Sequence, residues 1–486
     1  MRADSATSNR WLVLVVACLA QFMVVLDNTI VNVALPSIQT GLHFSPANLQ
    51  WVVNAYTLIF GGFLLLGGRA ADLLGRRRLF VAGVILFASA SMLNGLSQTS
   101  TMLILGRGLQ GLGGALVSPA ALSIIISTFQ DTRERTRALG VWSAIAAGGA
   151  AFGLLLGGIL TDLVSWRWNF FINVPVGIAT VLLAMRFIPE SRADLGHRRF
   201  DALGATTVTA GLLTLVFGIV KAQTWGWGST TTMAVLGSAV ALLALFLLIE
   251  SRSKAPLLKL SIFRIRSLAV ANVTMLLVAS ALFGMFFFIS LYAQDILHYS
   301  PLKAGLAFLP ASLGIVIGAG IAQSLVSRLG ARAVAVGGLV LATAGMLVFT
   351  GVPVQGSYVS NILAGLLPMT IGMGITFVPL TLLGTSGVGP EDAGLASGLF
   401  NSSQQVGGSL GLAILSTLAA ARTSNLIAHG ATSEVARVAA TVSGYHVAFL
   451  AAAAMLGTGA VLMVTLLRRR HLEGVEIDPA ALPAVA

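Results

Sequence analysis

Asp27 and Arg107 are the residues whose placement calls for chemistry. The stretch QFMVVLDNTIVNVALP, residues 21–36, sets Asp27 in an apolar run, and RGLQGLGGAL, residues 107–116, sets Arg107 in another. The chain has 17 acidic and 29 basic residues, and these two alone lie deep within such runs. A charge at a bilayer centre costs about 2.5–3.5 kcal/mol even on the lenient insertion scale. Such residues face a bundle interior or a wet cavity, and they have a partner or a task. Two readings stand side by side: a structural ion pair that locks two helices, or an ion or substrate site.

Polar stripes surround both. At roughly 100° per residue, Gln21, Asn28 and Asn32 stack within about 40°, with Asp27 and Thr29 at their side. Arg107, Gln110, Gly111, Gly114 and Ser118 share a sector of about 100°. Gln50, Asn54, Thr57 and Gly61 form a third stripe, and Ser397, Asn401, Gln404 and Gly408 a fourth. One stripe alone reads as amide glue between helices. Several together favour a polar substrate cavity, with Asn28, Asn32, Gln50, Asn54, Gln110, Asn401 and Gln404 as its lining.

Other chemistries find no residues. No lysine follows a glycine, so there is no P-loop, and there is no HExxH. The six histidines have no metal-ligand spacing, and no metal or cofactor is expected. Gly106, Gly108 and Gly111 satisfy a dinucleotide pattern, and Gly407, Ser409 and Gly411 a nucleophile-elbow pattern. Neither follows a strand. These glycines read instead as sites of close helix approach. No nucleophile and base pair up, so the chain does not read as an enzyme.

The elements that must hold these residues are membrane helices. The 486 residues are 56% hydrophobic and 9% charged, against roughly 25% charged in soluble domains. The mean hydropathy is +0.90. A span needs about 20 apolar residues. Fourteen such runs are predicted: 11–35, 49–68, 79–98, 102–127, 138–161, 169–188, 202–220, 231–249, 268–291, 303–326, 332–350, 359–383, 394–420 and 445–467. They do not alternate in polarity, which excludes a β-barrel and predicts an all-α polytopic membrane protein. The largest loops are predicted at 190–201, 250–267 and 421–444, and none is long enough to fold alone. The single cysteine, Cys18, rules out an internal disulfide.

An even number of spans puts both termini on one side. With that side cytoplasmic, 23 of the 29 Lys and Arg fall there and 5 outside, which satisfies the positive-inside rule. The net charge of +12 therefore reads as topology, and nucleic acid is not an expected partner. The chain also repeats at an offset of eight spans. Gly114 and Pro119 in span four match Gly374 and Pro379 in span twelve, and the start of span five resembles the start of span thirteen. This predicts a six-helix bundle over 1–188, an inserted helix pair over 189–267, a second six-helix bundle over 268–470, and a cytoplasmic tail over 471–486. Internal repeats of this kind mark secondary transporters.

The loop GRAADLLGRRRLF, residues 68–80, comes next. Gly75 can take a turn conformation that other residues avoid. Arg76, Arg77 and Arg78 pin the loop to the cytoplasmic face, and Asp72 can pair with them or with a helix N-terminus. The spacing from Gly68 through Asp72 to Gly75 is specific. Here the chain resembles the major facilitator superfamily, and in particular its fourteen-helix drug:proton antiporters of the EmrB/QacA type. LDNTIVNVALP, GRAADLLGRRR, RGLQGLGGAL and WRWNFFINVPVG (166–177) carry that resemblance over nearly the whole chain.

The resemblance implies alternating access between two bundles. Asp27 would bind protons or cationic substrate, and Arg107 would assist proton handling. Asp72 with Arg76 and Arg77 would form a cytoplasmic latch between the halves. One departure stands out: GGAAFGLLLGG, residues 148–158, has Leu154 where the group has proline. Gly149, Gly153 and Gly157, with Gly158, keep a glycine ladder for close packing.

The expected function is proton-coupled export of amphipathic drugs or antibiotics across a bacterial inner membrane, by a monomer surrounded by lipid. An excess of 25 arginines over 4 lysines points to a GC-rich bacterium. Proton-linked import or facilitated passage of a nutrient, and a non-transporting receptor, stay open as alternatives. Phe286, Phe287, Phe288 and Phe377 could line an aromatic pocket or simply pack.

Overall fold

In the computed structural model, residues 2–191, 201–253, 256–388, 392–430 and 433–467 are described, apart from some side chains within them, Asp72 among these. The tail at 471–486 and most of the loop at 190–201 lie outside them. No strand occurs among the described residues. Lipid offers backbone groups no partners, so each segment must satisfy its own, and helices do so.

The long helices are α1 (Arg2–Gly41), α2 (Trp51–Leu74), α3 (Arg76–Gly95), α4 (Ser100–Thr128), α5 (Thr132–Leu163), α6 (Asn173–Phe187) and α7 (Ala202–Trp225). They continue as α8 (Thr230–Arg252), α9 (Arg266–Leu291), α10 (Pro301–Leu329), α11 (Ala331–Val348), α12 (Ala364–Thr385), α13 (Ala393–Ala428) and α14 (Glu434–Leu466). Among the described residues, 13 helices are long and apolar enough to cross a membrane, and α5 adds the shorter apolar stretch Ala151–Leu163.

Local chemistry sets the ends. Thr99, Asp131, Ser229, Ser300 and Ser433 each cap a helix by accepting a backbone N–H two or three residues on. Gly75 (φ 115°) joins α2 to α3 and Gly330 (φ 80°) joins α10 to α11, each in a turn of a single residue. Both φ values are ones that glycine alone adopts freely.

The helices sort into two packed groups. In the first, α1 packs on α4, α5 and α6, and α4 packs on α2 and α3. In the second, α9 packs on α13 and α14, and α12 packs on α10 and α11. The pair α7–α8 lies against α2 and α13. The groups meet through α5–α10, α2–α13 and α1–α9. The turns at Gly75 and Gly330 and the start of α1 share one face, the basic face. Between α1 and α9 the joining hydrogen bonds lie toward the opposite face. There Ser290 Oγ donates to Asn32 O at 2.7 Å and Gln294 Nε2 donates to Val33 O at 2.9 Å.

The glycine ladder on α5 explains the tightest packing. A Cβ at Gly149 would reach Phe22 and Val25 at 3.3 Å, and one at Gly157 would lie 2.6 Å from Ile30 O. Gly153 seats against Thr29 in the same way. These three press α5 onto α1. Gly158 faces α10 instead, where a Cβ would lie 2.7 Å from Pro301 O. Leu154, in the place of the expected proline, is buried, and its carbonyl receives Gly305 of α10. The helix runs unbroken through this position.

One expectation needs correction. The stretch 421–444 is mostly helix: α13 runs to Ala428 and α14 begins at Glu434. Its polar residues ended the apolar pattern but not the helices, which continue and join through Arg422 Nε donating to Ser443 Oγ. Asp27 is the acid deep within a span, but two further acids are enclosed at helix ends. Asp201 and Glu250 are buried at the basic-face ends of α7 and α8. Asp201 accepts from Gly204 N at 2.7 Å, capping α7, and Glu250 from Leu258 N at 3.1 Å, so the linker after α8 folds over Glu250.

Candidate functional site

The site is built on α1, α2, α3, α4 and α6. Asp27 on α1 is 0% exposed and Arg107 on α4 is 1% exposed. Arg107 Nη1 donates to Asp27 Oδ2 at 2.5 Å. The other oxygen, Oδ1, accepts from Gln110 Nε2 at 2.7 Å and Asn173 Nδ2 at 2.9 Å. Arg107 also donates to Gln110 Oε1 at 2.8 Å and, through Nε, to Val52 O at 2.9 Å. Its guanidinium lies 4.4 Å from the Tyr56 ring centroid. Ser91 on α3 accepts from both Gln110 and Asn173. Asn94, one turn on, donates to Gln110 Oε1 at 2.8 Å.

Spacing places these groups. Arg107 and Gln110, three apart, fall on one side of α4. Gly106 and Gly111 flank them. A Cβ at Gly111 would lie 2.4 Å from Tyr56 O, so its absence lets α4 approach α2 closely enough for Arg107 Nε to reach Val52 O. The patterns at 106–111 and 407–411 both sit inside helices, as sites of close approach. Gly407 seats on Leu276 and Gly411 on Ser280, both of α9.

The structure brings together Asp27, Arg107 and Gln110, and adds residues that the sequence reading did not assign. Asn173, Ser91, Asn94 and Tyr56 complete the network. Asn173 lies within WRWNFFINVPVG, as a buried amide in an apolar stretch, and that contrast was its available signal. A pair taken out of water needs its remaining hydrogen-bonding capacity filled, and this one is supplied by two amides, Gln110 and Asn173, and the Val52 carbonyl.

The other stripe residues have different neighbours. Gln50 and Asn54 are buried on the first turn of α2 and just before it, where Asn54 Nδ2 donates to Gln50 Oε1 at 3.4 Å. Asn28 and Asn32 are half-buried, and Asn32 Nδ2 donates back to Asn28 O at 3.2 Å. Gln404 is half-buried and Asn401 exposed on α13. Among the described hydrogen bonds, none links Asn28, Asn32, Asn401 or Gln404 to the Asp27 network. Thr57 and Ser409 meet through their hydroxyls, tying α2 to α13.

At the basic face, Gly68 packs on Pro119, and Arg76 N donates to Ser191 O at 3.0 Å. Arg77 N and Arg78 N each donate to the Glu190 carboxylate at 3.2 Å. The side chains of Arg77 and Arg78 approach the same carboxylate at 3.9 and 3.6 Å. Glu190, just past α6, thus caps α3 from within the first helix group. The side chain of Asp72 lies outside the described set. Arg69 does reach across, donating to Pro256 O in the linker at 2.6 Å. The aromatic run packs: Phe286 lies 5.5 Å from Phe308 and Phe288 lies 5.4 Å from Tyr445.

The model of the Major Facilitator Superfamily matches residues 17–412. The chain belongs to this superfamily. This facilitator is 41% identical to the puromycin resistance protein of Streptomyces alboniger, over 95% of this chain and 92% of that one. It is 39% identical to the cephamycin export protein of Amycolatopsis lactamdurans, over 86% and 87% of the two chains. Among solved structures, the facilitator resembles a bacterial homologue of the human lysosomal transporter Spinster. That likeness has a TM-score of 0.66 at 16% identity, covers 97% and 99% of the two chains, and concerns the fold. The facilitator is a multi-pass bacterial membrane protein of a transporter family, not an enzyme family.

Proposed function

We propose that this facilitator is a proton-coupled antiporter that exports amphipathic small molecules across the cytoplasmic membrane by alternating access. In this reading it has fourteen spans, both termini are cytoplasmic, and the basic face lies toward the cytoplasm. Two six-helix bundles, 1–188 and 268–470, rock about the segment 189–267. The relatives named for puromycin resistance and cephamycin export support drugs or antibiotics as the substrate class.

The observation that carries the coupling is the enclosed pair Asp27 and Arg107. A carboxylate with no exposure and three donor contacts has no face left for a bulky cation. That favours the proton, the one cation small enough to arrive without displacing a helix. A proton on Asp27 would neutralise it and release Arg107 to its other partners, and loss of the proton would restore the pair. Substrate would pass between the groups, along Asn28, Asn32, Asn401 and Gln404.

The test is Asp27→Asn in proteoliposomes with an imposed pH gradient and puromycin as probe. The asparagine keeps the shape and removes the titratable group. Gradient-driven puromycin movement should cease while puromycin exchange without a gradient persists. Gradient-driven movement at the wild-type rate would remove Asp27 from the coupling step. A puromycin flux running inward under a physiological gradient would instead support import.

A further inference from the structure

A cavity of about 360 Å³ opens on the basic face, outside the network just described. Three arginines from three helices line it: Arg10 of α1, Arg77 of α3 and Arg186 of α6. Phe187 and Pro189 form part of its apolar wall. Arg10 already faces Glu134 at 3.6 Å, and Arg77 faces Glu190 at 3.9 Å. Arg186 faces no carboxylate among the described residues. Its described contact is the Phe187 ring, 5.6 Å away. The cavity is thus lined by three cations and no carboxylate, and of the three Arg186 is the one that faces none among the described residues.

A second hollow, of about 420 Å³, lies farther along the same two helices. It is an apolar groove between α3 and α6, lined by Ile85, Ala88, Ser89, Gly177, Ile178 and Leu182 among others. A Cβ at Gly177 would lie 2.7 Å from the Ala88 Cβ, so the groove floor is where the helices touch. Its walls are exposed large side chains: Ile85, Ile178 and Leu182 are all more than half exposed. At 1.5 Å per residue, the α3 side of the groove runs from about 10 Å to about 22 Å beyond Arg77. One leaflet of the hydrocarbon core is about 15 Å deep, half of the full core of about 30 Å. Charge therefore sits at headgroup depth and the groove at acyl-chain depth, in register on one seam.

We propose that this seam is a binding site for an anionic phospholipid. The phosphate sits among Arg10, Arg77 and Arg186, and an acyl chain lies in the α3–α6 groove. Arginine clusters between membrane helices are known to suit anionic headgroups. Here the groove beneath selects the lipid over a soluble phosphate, because only a lipid fills both parts. The bound phosphate borders Arg77, whose backbone and side chain meet Glu190, so the lipid rests against the clasp that starts α3.

The experiment uses the purified full chain, stripped of lipid in mild detergent. Bound lipid is counted by native mass spectrometry, and melting temperature is followed by tryptophan fluorescence. Phosphatidylglycerol should bind saturably and raise the melting temperature, whereas phosphatidylcholine should do neither. Arg186→Gln should weaken phosphatidylglycerol binding about fivefold, the effect of about one basic residue at a membrane surface. Arg186→Lys should largely restore it. Ser89→Phe, which fills the exposed groove, should weaken binding while leaving all three arginines in place. Inorganic phosphate at equal concentration should give no melting shift. Equal binding of the two lipids, indifference to Arg186→Gln or Ser89→Phe, or a full shift from inorganic phosphate would each overturn the assignment.

Discussion

Asp27 and Arg107, 80 residues apart, form an ion pair of 2.5 Å inside a single helix group. The pair does not bridge the two groups. A movement of one group against the other can leave it intact, so its breakage needs a chemical event rather than a rocking motion alone. The partners of both residues come from the same group, through Gln110, Asn173 and Ser91.

The energetics of the pair can be tested apart from transport. Arg107→Met leaves a buried carboxylate without its cation, which should cost about 3–5 kcal/mol of stability. Adding Asp27→Leu to that variant removes the second charge and should recover most of the loss in a thermal unfolding assay. If the double variant is as unstable as the single one, the cost lies in packing and not in the unpaired charge.

Asn173 offers a finer probe. Asn173→Ala removes one of three donors to Asp27 and leaves the ion pair, so a loss of about 1–3 kcal/mol is expected. Gradient-driven puromycin transport should shift its pH dependence without vanishing. An unchanged pH profile would show that the amide is mere packing.

The glycine ladder predicts a steep contrast along α5. Gly157→Val drives a side chain into the Ile30 backbone and should abolish assembly of the protein in the membrane. Gly148→Ala meets nothing within 4 Å and should express at the wild-type level. Membrane fractionation with immunodetection reads both. Equal expression of the two variants would contradict the packing of α5 on α1.

Thr57 and Ser409 touch across the two groups, and this contact can be locked. With Cys18→Ser as background, Thr57→Cys with Ser409→Cys should oxidise to a disulfide. Transport should stop on oxidation and return with reductant. Full transport by the oxidised, cross-linked protein would mean that α2 and α13 do not separate there during the cycle.

Glu190 caps α3 through two backbone donors, and Glu190→Gln should cost about 1 kcal/mol locally. Hydrogen exchange at the amides of residues 77–80 should quicken in the variant. Unaltered exchange would show that the clasp does not hold the helix start.

The spans, the turn at Gly75 and the ladder at Gly149, Gly153 and Gly157 were legible because each depends on a local property. Lipid demands apolar helices, a positive φ demands glycine, and close approach demands small residues at a spacing of four. The boundary errors have the same origin. At 421–444 the sequence shows polarity, which marks where lipid ends, and a helix can continue into water. Asp201 and Glu250 sit at helix ends, where the pattern predicts solvent. The cover of Glu250, the linker at 256–258, comes from tertiary folding alone.

By itself, then, the sequence determined that Asp27 and Arg107 are anomalous, because the cost of a charge in lipid does not depend on what stands beside it. Which residues answer that cost is a matter of distance between helices. Only the tertiary structure decided that Asp27 meets Arg107, that Asn173 and Ser91 fill the remaining contacts, and that Glu190 takes the arginines of the loop. Helical periodicity assigns a side to each residue but not a neighbour, since neighbours are set by how helices far apart in the chain pack together.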